Sequence, residues 1–165
     1  MPKRTLDDID RKILVELQAD GRMSLNDLAA KVGLSPSPCL RRVRMLERDG
    51  VISRYVAVLD QRAVGLPVSV FVSIKLEKQR QESLDHFAKA IERWPEVLEC
   101  YTLMGDTDFL LRIVVRDIKA YEAFFLDHLS RFPGVQSVNS HIALNVIKET
   151  TTLPLGSSPI TTTTR

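Results

Sequence analysis

Ser37, Arg41, Arg44 and Arg48 recur at spacings of four, three and four residues. At about 100° per residue they fall within an arc of roughly 60° on one helix. Cys39, Leu40, Val43 and Leu46 fall on the opposite side. The first set is a row of guanidiniums with a hydroxyl at its N-terminal end. Such a row offers forked donors to phosphates and to guanine edges. Ser37, Arg41 and Arg44 are therefore the first candidates for base or phosphate contact, with Arg42 and Arg48 at the flanks. Ser35 sits just before them, where a hydroxyl either caps the helix or meets a phosphate. A solvated charged face is the competing reading, and the surrounding elements must decide.

A second constellation is the turn Leu103-Met104-Gly105-Asp106-Thr107-Asp108. Glycine there permits a left-handed backbone and close approach of a ligand. Asp106 and Asp108 could hold an ammonium group, and free N–H groups could hold a carboxylate. A plain hairpin with polar turn residues explains the same letters. His86, His128 and His141 show no metal spacing, and no residues are assigned to catalysis, to a metal or to a cofactor. The two cysteines, Cys39 and Cys100, are far apart with no C-x-x-C, and both lie in apolar segments, so buried reduced thiols are expected. MPKRTLDD has no apolar core of a signal peptide, and no run approaches the length of a membrane span, so a cytoplasmic protein with no membrane contact is expected.

The net charge is only +2, but it is unevenly spread. Residues 35–48 carry Arg41, Arg42, Arg44 and Arg48 against Glu47 alone, while residues 63–165 carry eleven Lys/Arg against twelve Asp/Glu. A basic face on a near-neutral chain fits a DNA-binding module joined to a second domain with another task.

The elements that must position the arginine row are legible. Asp7 can cap a first helix running to Ala19, with Asp8 and Asp10 in its first turn and Ile9, Ile13, Leu14 and Leu17 as its apolar stripe. Ser24-Leu25-Asn26-Asp27 resembles a capping box opening a second helix that ends at Gly33. The third helix starts after Ser35, with Pro36 and Pro38 in its first turn and Gly50 at its end. Two helices joined by a tight glycine turn, the second one basic, make a helix-turn-helix. Val51–Asp60 is β-branched and partly alternating, which predicts a strand or short hairpin as a wing, with Arg54 solvated or touching phosphate.

After DQRAVGLP (61–67 read as a linker), period-two alternation predicts a strand over Val68–Leu76. Helices are expected at Arg80–Arg93 and Ile118–Arg131, and strands at Val97–Met104, Asp108–Val115 and Val135–Val146. Arg93-Trp94-Pro95-Glu96-Val97 matches Arg131-Phe132-Pro133-Gly134-Val135 at an offset of 38, which Phe71/Phe109 and Phe87/Phe125 share. Two tandem βαβ units predict a ferredoxin-like βαββαβ sheet with both helices on one face. The other face, expected to be rich in Val, Phe and Leu, then implies a partner subunit. The expected layout is a 1–60 winged helix-turn-helix, a 61–67 linker, a 68–153 βαββαβ domain and a disordered 154–165 tail, an α+β chain overall.

These motifs together resemble one family. They are D-x-x-D-x-x-I-L-x-x-L-Q-x-D-G-R at 7–22, L-x-x-x-V-G-L-S-x-S-P-C-L-R-R-V-x-x-L-E-x-x-G-V-I at 28–52, G-D-x-D-F-L-L at 105–111 and P-G-V…I-K at 133–148. Together, over about residues 5–153, they resemble the Lrp/AsnC, or feast/famine, transcriptional regulators. The resemblance implies a sequence-specific regulator of double-stranded DNA, a homodimer formed through the effector-domain sheets that often assembles into octamers. Two recognition helices would meet half-sites about one helical turn apart. It also implies a small amino-acid effector at the turn of Leu103, Met104, Gly105, Asp106 and Asp108, with Ser140 on a neighbouring strand as a further candidate. Two alternatives remain: a haem-pathway decarboxylase-like enzyme on the same scaffold, and a nucleoid-organising protein with little effector response.

Overall fold

The computed structural model describes residues 5–77 and 80–156. The chain forms two compact units. The first is Met1–Val58 together with the stretch from Lys148 onward; the second is Leu59–Ile147. No helix among the described residues is long and apolar enough to cross a membrane.

The first unit is built on three helices, α1 (Asp8–Ala19), α2 (Leu25–Val32) and α3 (Pro36–Arg48). Asp7 caps α1 through a true capping box: its carboxylate accepts from the Asp10 amide at 2.8 Å, and Asp10 accepts from the Asp7 amide. The box expected at Ser24 is different in kind. Ser24 Oγ accepts from the Asp27 amide, but it donates to the Asp27 carboxylate at 2.6 Å rather than leaving that group for the backbone. Gly33 closes α2 at φ 72° and Gly50 follows α3 at φ 71°, both in the left-handed region where a Cβ would be strained. Ile13, Leu28, Ala29, Cys39 and Leu46 are buried at the centre of the three helices.

The expected wing strand over Val51–Asp60 does not form within the single chain. Residues 53–60 carry no strand pairing, and Val56, Val58 and Leu59 are exposed. A strand needs a neighbour to take its backbone groups, and this segment has none among the described residues. It is pinned at Tyr55, whose hydroxyl donates to Glu47 of α3 at 3.1 Å.

The second unit is β1 (Val68–Leu76), α4 (Gln81–Ile91), β2 (Val97–Thr102), β3 (Phe109–Val115), α5 (Ile118–Phe124) and β4 (Val135–Ile142). The sheet is antiparallel in the order β2-β3-β1-β4, the ferredoxin-like arrangement expected from the repeat. Val70, Val72 and Ile74 of β1 meet Phe87, Phe109, Leu111, Ile113 and Phe124 in one core under the helices. The repeat's aromatics Trp94 and Phe132 pack edge to face, 6.2 Å apart. Phe71 and Phe109 break the repeat: Phe109 is in the core and Phe71 is exposed on the other face. The helix expected over Ile118–Arg131 widens into a π turn at Phe125–Leu129; Phe124 is buried in the core and Phe125 packs against it partly buried. The last strand stops at Ile142, and Leu144 and Val146 beyond it are exposed.

The outward sheet face is less apolar than expected. Phe71 is exposed there, but Arg112 lies between Glu99 (3.1 Å) and Gln61 (3.2 Å). Gln61 also donates to Leu66 O and to Ser69 Oγ. The 61–67 stretch, expected to link the two domains, is fastened to the second unit by these bonds. Cys39 is buried as expected, but Cys100 is exposed on β2. Burial raises the pKa of the Cys39 thiol, which keeps it protonated.

The tail also departs from expectation. Leu155 packs on the helical core of the first unit, and Gly156 accepts a hydrogen bond from Arg11. Residues 157–165 of the expected disordered tail lie outside the described residues.

Candidate nucleic-acid interface and effector turn

The third helix begins without a side-chain cap. Ser35 occupies the cap position with extended backbone, yet its hydroxyl makes no cap hydrogen bond. Pro38 stands at the third helical position, where a cap would look for an N–H, and proline has none. The Ser35 hydroxyl is therefore left exposed beside the helix N-terminus.

Downstream, Ser37, Leu40, Arg41, Arg44, Met45 and Arg48 line one shallow concavity of about 310 Å³. Three guanidiniums and a hydroxyl thus share an exposed surface, bordered by the apolar edges of Leu40 and Met45. Arg41 and Arg44 have no ion pair among the described residues. Arg48 leans back to Asp49 at 2.9 Å. This pair is exposed, so it is weak and exchangeable.

Arg42 is not on that surface. Its Nη1 donates to Asp7 Oδ2 at 2.7 Å and to Asp10 Oδ1 at 2.8 Å. The two carboxylates raise the Arg42 pKa further. Desolvation pushes the Asp7 carboxyl up, but the Asp10 amide and Arg42 outweigh it and hold it below the usual range. Arg42, expected at the flank of the DNA-contacting row, is thus placed as a tie between α3 and the start of α1. Helical spacing already carried the signal, because Arg42 lies roughly 130° from the middle of the Ser37–Arg48 arc.

In the second unit, the expected effector residues divide. Leu103, Met104, Gly105 and Asp106 are exposed in the β2–β3 turn, with Gly105 at φ 142°. Asp108 is buried, and its Oδ2 accepts from the Leu76 amide at 2.7 Å. Its own amide donates to Ile74 O at 2.8 Å, and its carbonyl accepts from the Leu103 amide at 2.9 Å. Asp108 thus fastens the turn to the end of β1, a task that occupies the carboxylate expected to meet an ammonium group. Ser140 is not gathered to the turn either. It pairs with Val72 across the β1–β4 ladder, on the opposite side of β1 from β3, and its hydroxyl is hydrogen-bonded to Tyr121 on α5.

A second concavity, about 430 Å³, lies along β2 and α4 and holds none of the expected effector residues. Trp94, Leu98, Cys100, Thr102 and Phe109 are among its walls. Thr102 is the residue just before Leu103, so this hollow adjoins the turn in sequence. Its walls come from a helix, a strand and the Trp-Pro join, a combination that no single motif announces. His86 and His128 stack on aromatic rings, at 5.1 Å from Phe132 and 4.9 Å from Trp94.

Comparison with known proteins places this geometry. A family model described as winged helix-turn-helix DNA-binding matches residues 6–53, and one described as Lrp/AsnC ligand binding domain matches residues 69–153. The Bkd operon transcriptional regulator of Pseudomonas aeruginosa is 46% identical over 150 residues, 91% of this chain and 98% of that protein. The leucine-responsive regulatory protein of Escherichia coli is 40% identical over 152 residues, covering 92% and 93%. Among solved structures, an AsnC family transcriptional regulator from Agrobacterium tumefaciens matches with a TM-score of 0.86 at 47% identity, covering 91% of this chain and 97% of that one. A transcriptional regulator of Neisseria meningitidis, solved as a complex with L-Met, matches with a TM-score of 0.87 at 41% identity over the same shares.

Proposed function

Since the chain belongs to the Lrp/AsnC family of transcriptional regulators, we propose that it binds DNA through the Ser37–Arg48 face and that an apolar amino acid tunes this binding. It joins a winged helix-turn-helix DNA-binding domain to a ligand-binding α/β domain. The observation that carries the reading is the sorting of arginines on α3. Arg41, Arg44 and Arg48 share one exposed concavity with Ser37, while Arg42 is turned away to Asp7 and Asp10. A helix that keeps three guanidiniums turned to solvent and spends the fourth on its own platform is arranged to present them to phosphates and base edges. The uncapped Ser35 hydroxyl adds a donor for a flanking phosphate.

Leucine-responsive and methionine-bound relatives point to an effector with an apolar side chain. The exposed Met104–Asp106 stretch of the turn offers backbone N–H groups and the Asp106 carboxylate for its charged ends. Regulation requires no catalysis, and the protein acts in the cytoplasm, where its DNA is. Two helices acting as a pair need a homodimer, and the 53–60 segment with the exposed Phe71 face supplies surface for one; higher assembly to an octamer follows the family. Gel-shift and anisotropy titrations on duplexes selected by the protein from random sequence, across a salt series and a panel of amino acids, test the reading. Steep salt dependence and a shift of affinity with L-leucine or L-methionine are expected. Salt-independent binding, or no response to any amino acid, would remove the corresponding half.

A further inference from the structure

The stretch after β4 returns to the DNA-binding unit and docks on α1. One side chain reads both backbone groups of Leu153: Gln18 Oε1 accepts from its amide at 2.6 Å, and Gln18 Nε2 donates to its carbonyl at 3.2 Å. Leu153 itself is exposed, and Leu155, two residues on, packs on the buried cluster that includes Leu6, Ile13 and Leu14. Arg11 then donates to Gly156 O. Arg11 is only 8% exposed, and its Nε has no hydrogen-bond partner among the described residues. A guanidinium this deep needs acceptors, and among the described residues the strap's Gly156 carbonyl provides one.

The neighbour of Arg11 makes this more than packing. Asp10, the preceding residue of α1, grips Arg42 of α3. The strap and the DNA-facing helix are thus held by adjacent residues on one turn of α1. We propose that Lys148–Gly156 is a working part of the DNA-binding unit: docked on α1, it steadies the hold on α3, and its release lowers DNA affinity. The surface is the face of α1 that carries Arg11 and Gln18, and its occupant is this chain's own C-terminal segment. Because the chain leaves the first unit at Val58 and re-enters at Lys148, the ligand-binding unit is joined to the DNA-binding unit by two covalent connections. The second runs from the end of β4 at Ile142 through only 143–147. This inference rests on the DNA-binding reading above for its final step alone.

The test uses the full chain with Gln18→Ala, with Leu155→Asp, and with residues 149–165 deleted. Hydrogen exchange is read separately for α1, α3 and the β1–β4 sheet, and affinity is read by anisotropy on a duplex selected from random sequence by the wild type. The expected result is exchange faster by about tenfold in α1 and α3, an unchanged sheet, and affinity weakened by about fivefold or more. Unchanged exchange in α1 for all three variants would overturn the docking role. Faster exchange with unaltered affinity would overturn the link to DNA and leave a packing strap. If the wild type selects no duplex, the DNA-binding reading fails, and the exchange data still decide whether the strap steadies α3.

Discussion

Arg42 Nη1 donates to Asp10 Oδ1 at 2.8 Å, and Asp10 is only 1% exposed. The same nitrogen reaches Asp7, so one guanidinium bridges the cap of α1 and its third residue. This clamp fixes the helix that carries Arg41, Arg44 and Arg48 on its open face, and it separates two environments that the run Arg41-Arg42 hides.

Removing the clamp acts on stability first. Arg42→Ala takes the cation away from buried Asp10 and is expected to cost the DNA-binding unit about 3 kcal/mol. Arg42→Lys should recover only part of this, because the lysine ammonium restores the charge but ends about one bond short of the Nη1 position that meets both carboxylates. Differential scanning calorimetry of the full chain reads the effect; an unchanged transition would show that the clamp contributes nothing.

Arg41→Ala and Arg44→Ala should behave oppositely. Both side chains lie on the open face of α3, so melting stays where it is. DNA affinity is expected to fall by about 1–3 kcal/mol, and the salt slope to become shallower by about 1 for each phosphate that is no longer neutralised. Anisotropy titrations across a salt series separate these variants from Arg42→Ala.

At the effector turn, Asp106→Ala and Asp108→Ala should part ways. Asp106 is exposed, and its loss is expected to weaken amino-acid binding in calorimetric titration with L-leucine and L-methionine while leaving melting unchanged. Asp108→Ala strands the Leu76 amide inside the sheet and should destabilise the ligand-binding unit by about 1–3 kcal/mol. Equal amino-acid binding by wild type and Asp106→Ala would rule out this carboxylate as a ligand contact.

Tyr55 gives a prediction at high pH. Desolvation and its hydrogen bond to Glu47 push its hydroxyl up to about 12, from an ordinary value of 10.0. The folded state therefore keeps a proton that the unfolded chain loses. The contribution is present below pH 10 and disappears as pH rises through about 12. It is small, because the residue is half exposed. Phenolate absorbance should show a late-titrating tyrosine in the wild type that is absent from Tyr55→Phe.

Local signals carried most of the fold. Asp7, Ser24, Gly33 and Gly50 sit where caps and left-handed turns are expected, because a helix end is governed by residues within one turn of it. β1 spans Val68–Leu76 as its period-two pattern predicts, with Val70, Val72, Ile74 and Leu76 buried. Where the expectation missed, a distant or absent neighbour was responsible. The 53–60 segment lacks a strand because pairing needs a second strand, and the sequence shows only that the segment is suited to one. The Thr-rich end, whose want of periodicity predicts disorder, holds Leu155 against α1 because a single apolar side chain and two backbone groups suffice for docking.

What the sequence determined by itself is the architecture and the family: caps, periods and the repeat are short-range properties, and the motif strings span nearly the whole chain. What only the tertiary structure decided is which copy of a residue type does which task. Arg41 and Arg42 are adjacent in sequence, yet one faces solvent and the other bridges two carboxylates. Asp106 and Asp108 share a turn, yet one is exposed and the other fastens β1. The reason is physical: a side chain's role depends on its burial and its partners, and those come from residues some thirty positions away, Asp10 for Arg42 and Leu76 for Asp108.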